Sequence, residues 1–165
     1  MYWEMVPVRI PKIYIETSVF NFYFADDAPD KKQDTLKLFK EIKNGLYVPY
    51  TSAYVLQELT RANEPKQSQM TALISEYDMY FLEQGDDIRT LAGLYVSDGV
   101  IPEKHLTDAL HIAAATVNDL DIIVSYNFQH IVKRKTVLMT ESINLRAGYK
   151  RIGIFSPTEV IESDE

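Results

Sequence analysis

The spacing of apolar and polar positions divides the chain into short apolar runs and longer stretches of helical period. Ile13-Tyr14-Ile15, bounded upstream by Pro11, reads as a short buried strand that ends on an acid, Glu16. Thr17 or Ser18 is placed to cap a helix beyond it. After the breaker run Asp26-Asp27-Ala28-Pro29-Asp30, the spacing predicts an amphipathic helix over Lys31–Lys43, with Leu36, Phe39 and Ile42 on one face and Asn44-Gly45 as its stop. Leu46-Tyr47-Val48-Pro49 reads as a second strand closed by its proline. Thr51 or Ser52 caps a helix through Val55, Leu56, Leu59 and Ala62, ended by Asn63-Glu64-Pro65. A further helix is predicted over Lys66–Tyr77, a third strand over Met79–Leu82 and a helix over Asp86–Val96. His105–Leu120 follows, with a seam of Leu106, Leu110, Ala113, Val117 and Leu120. Its other faces are also apolar, the pattern of a buried helix. Asp121–Ser125 is the fourth strand, Phe128–Lys135 and Val137–Arg146 read as two short helices, and Arg151–Phe155 is the last strand.

Strands alternating with helices imply an α/β fold, a mostly parallel sheet covered on both faces. The length of 165 residues fits one domain. No repeat or linker divides it, and the acidic end Glu162–Glu165 reads as a mobile tail. Hydrophobic content of 46% with 25% charged residues is ordinary for a soluble domain. The absence of cysteine excludes disulfides, thiol catalysis and cysteine-ligated zinc or iron–sulfur sites, and agrees with a reducing cytoplasm. Met1–Pro7 lacks a basic segment followed by an apolar run, so no signal peptide is expected. No apolar run nears the ~20 residues of a membrane span. The net charge of −7 argues against an extended nucleic-acid grip, so any such contact is local.

Three carboxylates and an amide sit where an open α/β sheet gathers its ligands, beyond the carboxyl ends of the strands. Glu16 is either a solvated strand-end residue or a metal ligand or general base. Glu58, in the helix after the second strand, is either a solvated helix glutamate or part of the same site. Asp108 is an acid in the first turn of a helix otherwise rich in Leu, Ile, Val and Ala. It either decorates an exposed turn or is a buried charge that needs a partner. Ser125-Tyr126-Asn127 brings polar groups to the end of the fourth strand, where Asn127 can cap the next helix and also serve the crevice.

Ile15-Glu16-Thr17-Ser18-Val19, Ser52-x5-Glu58-Leu59, Thr107-Asp108-Ala109-Leu110-His111-Ile112-Ala113 and Val124-Ser125-Tyr126-Asn127-Phe128 resemble the successive motifs of PIN-domain proteins. The closing Gly148–Val160 resembles a bacterial subgroup of that family. The resemblance implies a PIN-like three-layer α/β/α fold of about five strands in the order 3-2-1-4-5. The motif-bearing core is 12–135, with a closing helix and strand over 136–158 and a tail over 159–165. It also implies a cytoplasmic ribonuclease dependent on Mg2+ or Mn2+ that cleaves single-stranded RNA. Such a protein is often the toxin of a toxin–antitoxin pair, restrained by a small antitoxin, and is expected here as a homodimer.

Carried over by position, Glu16, Glu58 and Asp108 are the metal-holding acids. Asn127 is the fourth catalytic position, with Ser125 and Thr17 in support. Two departures stand out. Glu16 replaces the usual aspartate, and Asn127 replaces a frequent aspartate, with loss of one formal charge. The alternative these departures leave open is a weakly active or inactive RNA-binding or interaction module on the same scaffold. A phosphatase of another α/β type is disfavoured, because no Asp-x-Asp pattern follows the first strand.

Three other features carry weaker signals. His105-x2-Asp108-x2-His111 spreads over about a third of the helix circumference, an awkward arrangement for one transition-metal ion, and His111 reads as packed and hydrogen-bonded. Phe20-Asn21-Phe22-Tyr23-Phe24 reads as core with a subunit contact rather than a base-stacking platform. Lys31-Lys32, Lys133-Arg134-Lys135 and Lys150-Arg151 are solvated faces or guides for a phosphate backbone.

Overall fold

A computed structural model describes residues 9–162. Residues 1–8, which include the stretch Met1–Pro7 read above, and the tail residues 163–165 lie outside the described residues. Five strands form one parallel sheet in the order β3-β2-β1-β4-β5, flanked by helices, as the resemblance implied. The strands are β1 Lys12–Ile15, β2 Val48–Ser52, β3 Tyr80–Leu82, β4 Ile122–Val124 and β5 Gly153–Phe155. The helices are α1 Thr17–Phe22, α2 Pro29–Lys43, α3 Ala53–Leu59, α4 Lys66–Glu76, α5 Asp86–Ser97, α6 Leu106–Val117, α7 Arg134–Arg146 and α8 Pro157–Val160.

β1 is central because its side chains can be buried on both faces. Ile13, Tyr14 and Ile15 are all fully buried, each side chain contributing roughly 1.5–3 kcal/mol. β1 pairs with β2 on one side and β4 on the other, so the direction of winding reverses between β1 and β4. That reversal opens the crevice at the strand ends where α/β sheets bind ligands. Ile15 is level with Val124, and the Glu16 N–H continues the ladder to the Val124 carbonyl at 3.2 Å. Glu16 and Ser125 therefore meet at the mouth of the crevice.

Four local expectations are corrected by the packing. β2 does not stop at Pro49 but runs on to Ser52. The Val48 N–H bonds the Pro11 carbonyl on the β1 side, and pairing with β3 begins only at Tyr50. The missing N–H of Pro49 thus falls on the β3 side before any ladder exists there, so an interior strand tolerates it. The buried face of α2 is Thr35, Leu38, Phe39 and Ile42, with Leu36 exposed. On α6 the buried face is Ala109, Ile112, Ala113 and Thr116, and the anticipated seam residue Leu106 is exposed. Small side chains on this face let α6 pack closely on α5, which contributes Ile88, Leu91, Ala92 and Tyr95.

The fourth correction lies after β4. Residues 128–133 form a single turn rather than a helix, and the two short helices expected there are replaced by α7 alone. The Asn127 side chain accepts from the His130 N–H at 2.9 Å, and its carbonyl accepts from Ile131 and Val132. The Thr136 hydroxyl then takes the His130 carbonyl at 2.7 Å, so that carbonyl is already engaged and the turn is not continued as helix.

At the opposite end of the sheet, Asp121 joins three segments. Its carboxylate accepts from the Lys12 N–H at 2.8 Å, from Lys150 at 3.1 Å and from the Arg9 guanidinium. Burial raises its pKa, but the Lys12 N–H and the two cations outweigh that and hold it below the ordinary carboxylate value. A depressed folded-state pKa means the stabilisation is present above the unfolded value of about 3.9 and lost as pH falls through the folded value. Asp121→Ala is expected to cost about 1–2 kcal/mol at neutral pH. The urea-unfolding stabilities of the two proteins are expected to draw together as pH falls below the unfolded value of about 3.9.

Candidate metal centre at the sheet crevice

The strand-end acid is held by its own turn. Glu16 is buried and N-caps α1, accepting from the Ser18 N–H at 3.2 Å; the cap is thus Glu16 itself rather than Thr17 or Ser18. Its Oε1 also accepts from the Ser18 hydroxyl at 2.6 Å and from the buried Ser125 hydroxyl. The Ser18 oxygen accepts from the Tyr126 N–H at 2.8 Å, and the Ser125 oxygen from the Asn127 N–H at 2.9 Å. The ends of β1 and β4 are stitched through Glu16 Oε1.

Glu58 arrives from the last turn of α3, whose N-cap is Ser52. Its Oε1 accepts from the Thr17 hydroxyl and from His111 Nε2, each at 2.6 Å. Burial raises the pKa of Glu58, but His111 and Thr17 outweigh it, so the carboxyl lies below its ordinary value. An ionised carboxylate only accepts, so Nε2 carries the proton. Fully buried His111 is pushed down by desolvation but raised overall by Glu58, Glu16 and Asp108. His111 Nδ1 lies 2.7 Å from the Tyr14 hydroxyl, which is 2.6 Å from the Ser52 hydroxyl. Burial pushes Tyr14 well above its ordinary pKa, so the phenol keeps its proton. A buried chain Ser52–Tyr14–His111–Glu58–Thr17 therefore fixes the second acid.

Asp108 enters from the first turn of α6 with its side chain 14% exposed. Burial raises its pKa, only partly offset by Asn127, His111 and His130. A carboxylate in that position lacks a full compensating cation. Glu16, Thr17, Ser18, Glu58, Asp108 and Asn127 line one cleft of about 430 Å³. Glu16, Glu58 and His111 offer ligand atoms within 4.8 Å of one another. Asp108 shares the cleft, but its own close group is with His105 and His130. All six candidate positions thus lie in or against one crevice. The donor set is mostly carboxylate and amide oxygen, which suits hard cations such as Mg2+ and Mn2+.

Sequence reasoning left Tyr14 and Ser52 out of the site. The available signal was a tyrosine in a strand buried on both faces, because a buried hydroxyl needs a partner. The aromatic run is largely core. Phe20 is fully buried, Phe22 packs on Tyr126 at 4.7 Å and Tyr23 on Phe39 at 5.0 Å. Several basic residues are engaged locally, Lys32 with Asp26, Lys150 with Asp121 and Arg151 with Glu141.

No helix among the described residues is long and apolar enough to cross a membrane. No family model and no curated protein matches the chain. Among solved structures the fold is similar to VapBC2 from Rickettsia felis bound to a DNA fragment from their promoter, with a TM-score of 0.51 and 16% identity over 87% of this chain and 98% of that one. At that identity the likeness establishes a shared fold.

Proposed function

We propose that this protein is a metal-dependent endoribonuclease that hydrolyses phosphodiester bonds of single-stranded RNA, acting as the toxin of a toxin–antitoxin pair. The observation that carries the reading is the convergence of Glu16, Glu58, Asp108 and Asn127, distant in sequence, on one cleft at the reversal point of the sheet. The fold likeness to a VapBC2 complex supports the toxin–antitoxin setting and a small protein antitoxin as partner. The whole chain, 1–165, is read as a single PIN-like domain, cytoplasmic and homodimeric.

Glu16, Glu58 and Asp108 would hold Mg2+ or Mn2+, and Asn127 and Ser125 would orient the water or the scissile phosphate. A divalent cation there, when bound, offsets charge on the phosphodiester oxygens and acidifies water. The protein's own contribution is orientation. Ser18 and Ser125 fix Glu16, and Thr17 and His111 fix Glu58 through its Oε1. The test is cleavage of an end-labelled unstructured RNA. Cutting is expected with Mg2+ or Mn2+ and none with excess chelator; cutting that persists in chelator overturns the reading.

A second reading is favoured by those same bonds. Glu16 caps a helix and Glu58 pairs with a buried histidine, so both acids also have structural work. In that case the chain is a non-cleaving RNA-binding or protein-interaction module, and binding persists in chelator without strand scission.

A further inference from the structure

Beside the acidic cleft, Asp108 is grouped with two imidazoles, those of His105 and His130, that the nuclease reading does not use. His105 precedes α6, Asp108 is three residues on, and His130 comes from the turn after β4. One ligand atom from each lies within 4.8 Å of the others. His105 Nδ1 is 4.0 Å from Asp108 Oδ2, and the two imidazoles lie with ring centroids 4.1 Å apart. The grouping of His105, Asp108 and His111 that the spacing disfavoured does not form, because His111 turns to Glu58 and Tyr14. His130 takes its place through the tight turn closed by Asn127 and Thr136.

We propose that His105, Asp108 and His130 form a binding site for a borderline d-block cation, Zn2+ being the representative, beside the acidic cleft. Two imidazoles and one carboxylate are a donor set for zinc, cobalt or nickel rather than for Mg2+. A second observation points the same way. The His130 ring is only partly buried, yet its Nε2 is shielded from solvent and has no hydrogen-bond partner among the described residues, which leaves that nitrogen available to a ligand. Zn–N bonds of about 2.0–2.1 Å put tetrahedral ligand atoms roughly 3.3 Å apart. The His105 Nδ1–Asp108 Oδ2 separation of 4.0 Å must therefore shorten, and the two rings, with centroids 4.1 Å apart, must swing so that their nitrogens converge on the ion. His105, with its side chain 37% exposed at the helix start, has room to make that adjustment. Lys104 and Lys133 lie near His130 and oppose a cation, so the Asp108 charge is required as well as the rings.

The chain has only three histidines, so the imidazole 15N spectrum reads the site directly. One equivalent of Zn2+, in a large excess of Mg2+, is expected to shift the ring signals of His105 and His130 and leave His111 in place. His105→Gln and His130→Gln are each expected to weaken Zn2+ binding by at least about tenfold. His105→Gln serves as the second variant should His130→Gln disturb the turn. A shift of His111 instead, of no ring, or unchanged affinity in the folded variants overturns the proposal. None of these readouts involves RNA, so a failure of Zn2+ binding and a failure of RNA cleavage are distinguishable although Asp108 belongs to both sites.

Discussion

Asp108→Asn is expected to abolish divalent-dependent RNA cleavage, a fall of at least about a hundredfold, while leaving the fold as stable as the parent. The magnitude follows from ligation: partners one shell further out already cost 10–100-fold in metal affinity or activity. Stability should hold because the substitution keeps the shape and removes a charge that burial disfavours, as the raised pKa of Asp108 indicates. The neighbouring Asn127 retains a polar side chain to face. Single-turnover cleavage in Mg2+ and a urea melt, measured on the same preparation, separate the two effects. Unchanged cleavage removes Asp108 from the proposed centre, and a large loss of stability shows that its charge is compensated within the protein.

His111→Leu is expected to destabilise the fold by about 3 kcal/mol, because it breaks a buried ion pair from one side. The ring is fully buried and bridges the Tyr14 hydroxyl and the Glu58 carboxylate. Removing it strands the Glu58 carboxylate with Thr17 alone and leaves the Tyr14 hydroxyl to Ser52. Glu58 keeps 24% of its side chain in water, which limits the cost to the lower part of the range for broken buried pairs. Adding Glu58→Gln should recover part of the loss, since the stranded charge is then gone. A double-mutant cycle by denaturant unfolding measures the coupling. Additive losses would mean that His111 matters through packing and not through Glu58.

The parts of this protein legible in its sequence are those that depend on near neighbours along the chain. The run Ile13-Tyr14-Ile15 was legible as a buried strand, because consecutive apolar residues suit a strand covered on both faces. The alternation of strands and helices was enough for the parallel sheet, while its order was an expectation carried by the resemblance of the motifs around Glu16, Glu58, Asp108 and Asn127. His111 was legible as a packed, hydrogen-bonded residue, because a polar ring inside an apolar helix must find a partner.

What the sequence could not decide was set by register and packing between distant segments. Pro49 reads locally as the end of a strand, yet β2 continues because β3 starts pairing one residue later. Helical period over Phe128–Lys135 was overridden where the Thr136 hydroxyl takes the His130 carbonyl at 2.7 Å. Spacing along α6 groups His105 with His111, but packing turns one ring toward His130 and the other toward Glu58. Local pattern determined which residues are acids, strands and helices; only the tertiary structure decided which oxygens and nitrogens face one another, because those distances are fixed by contacts that no periodicity encodes.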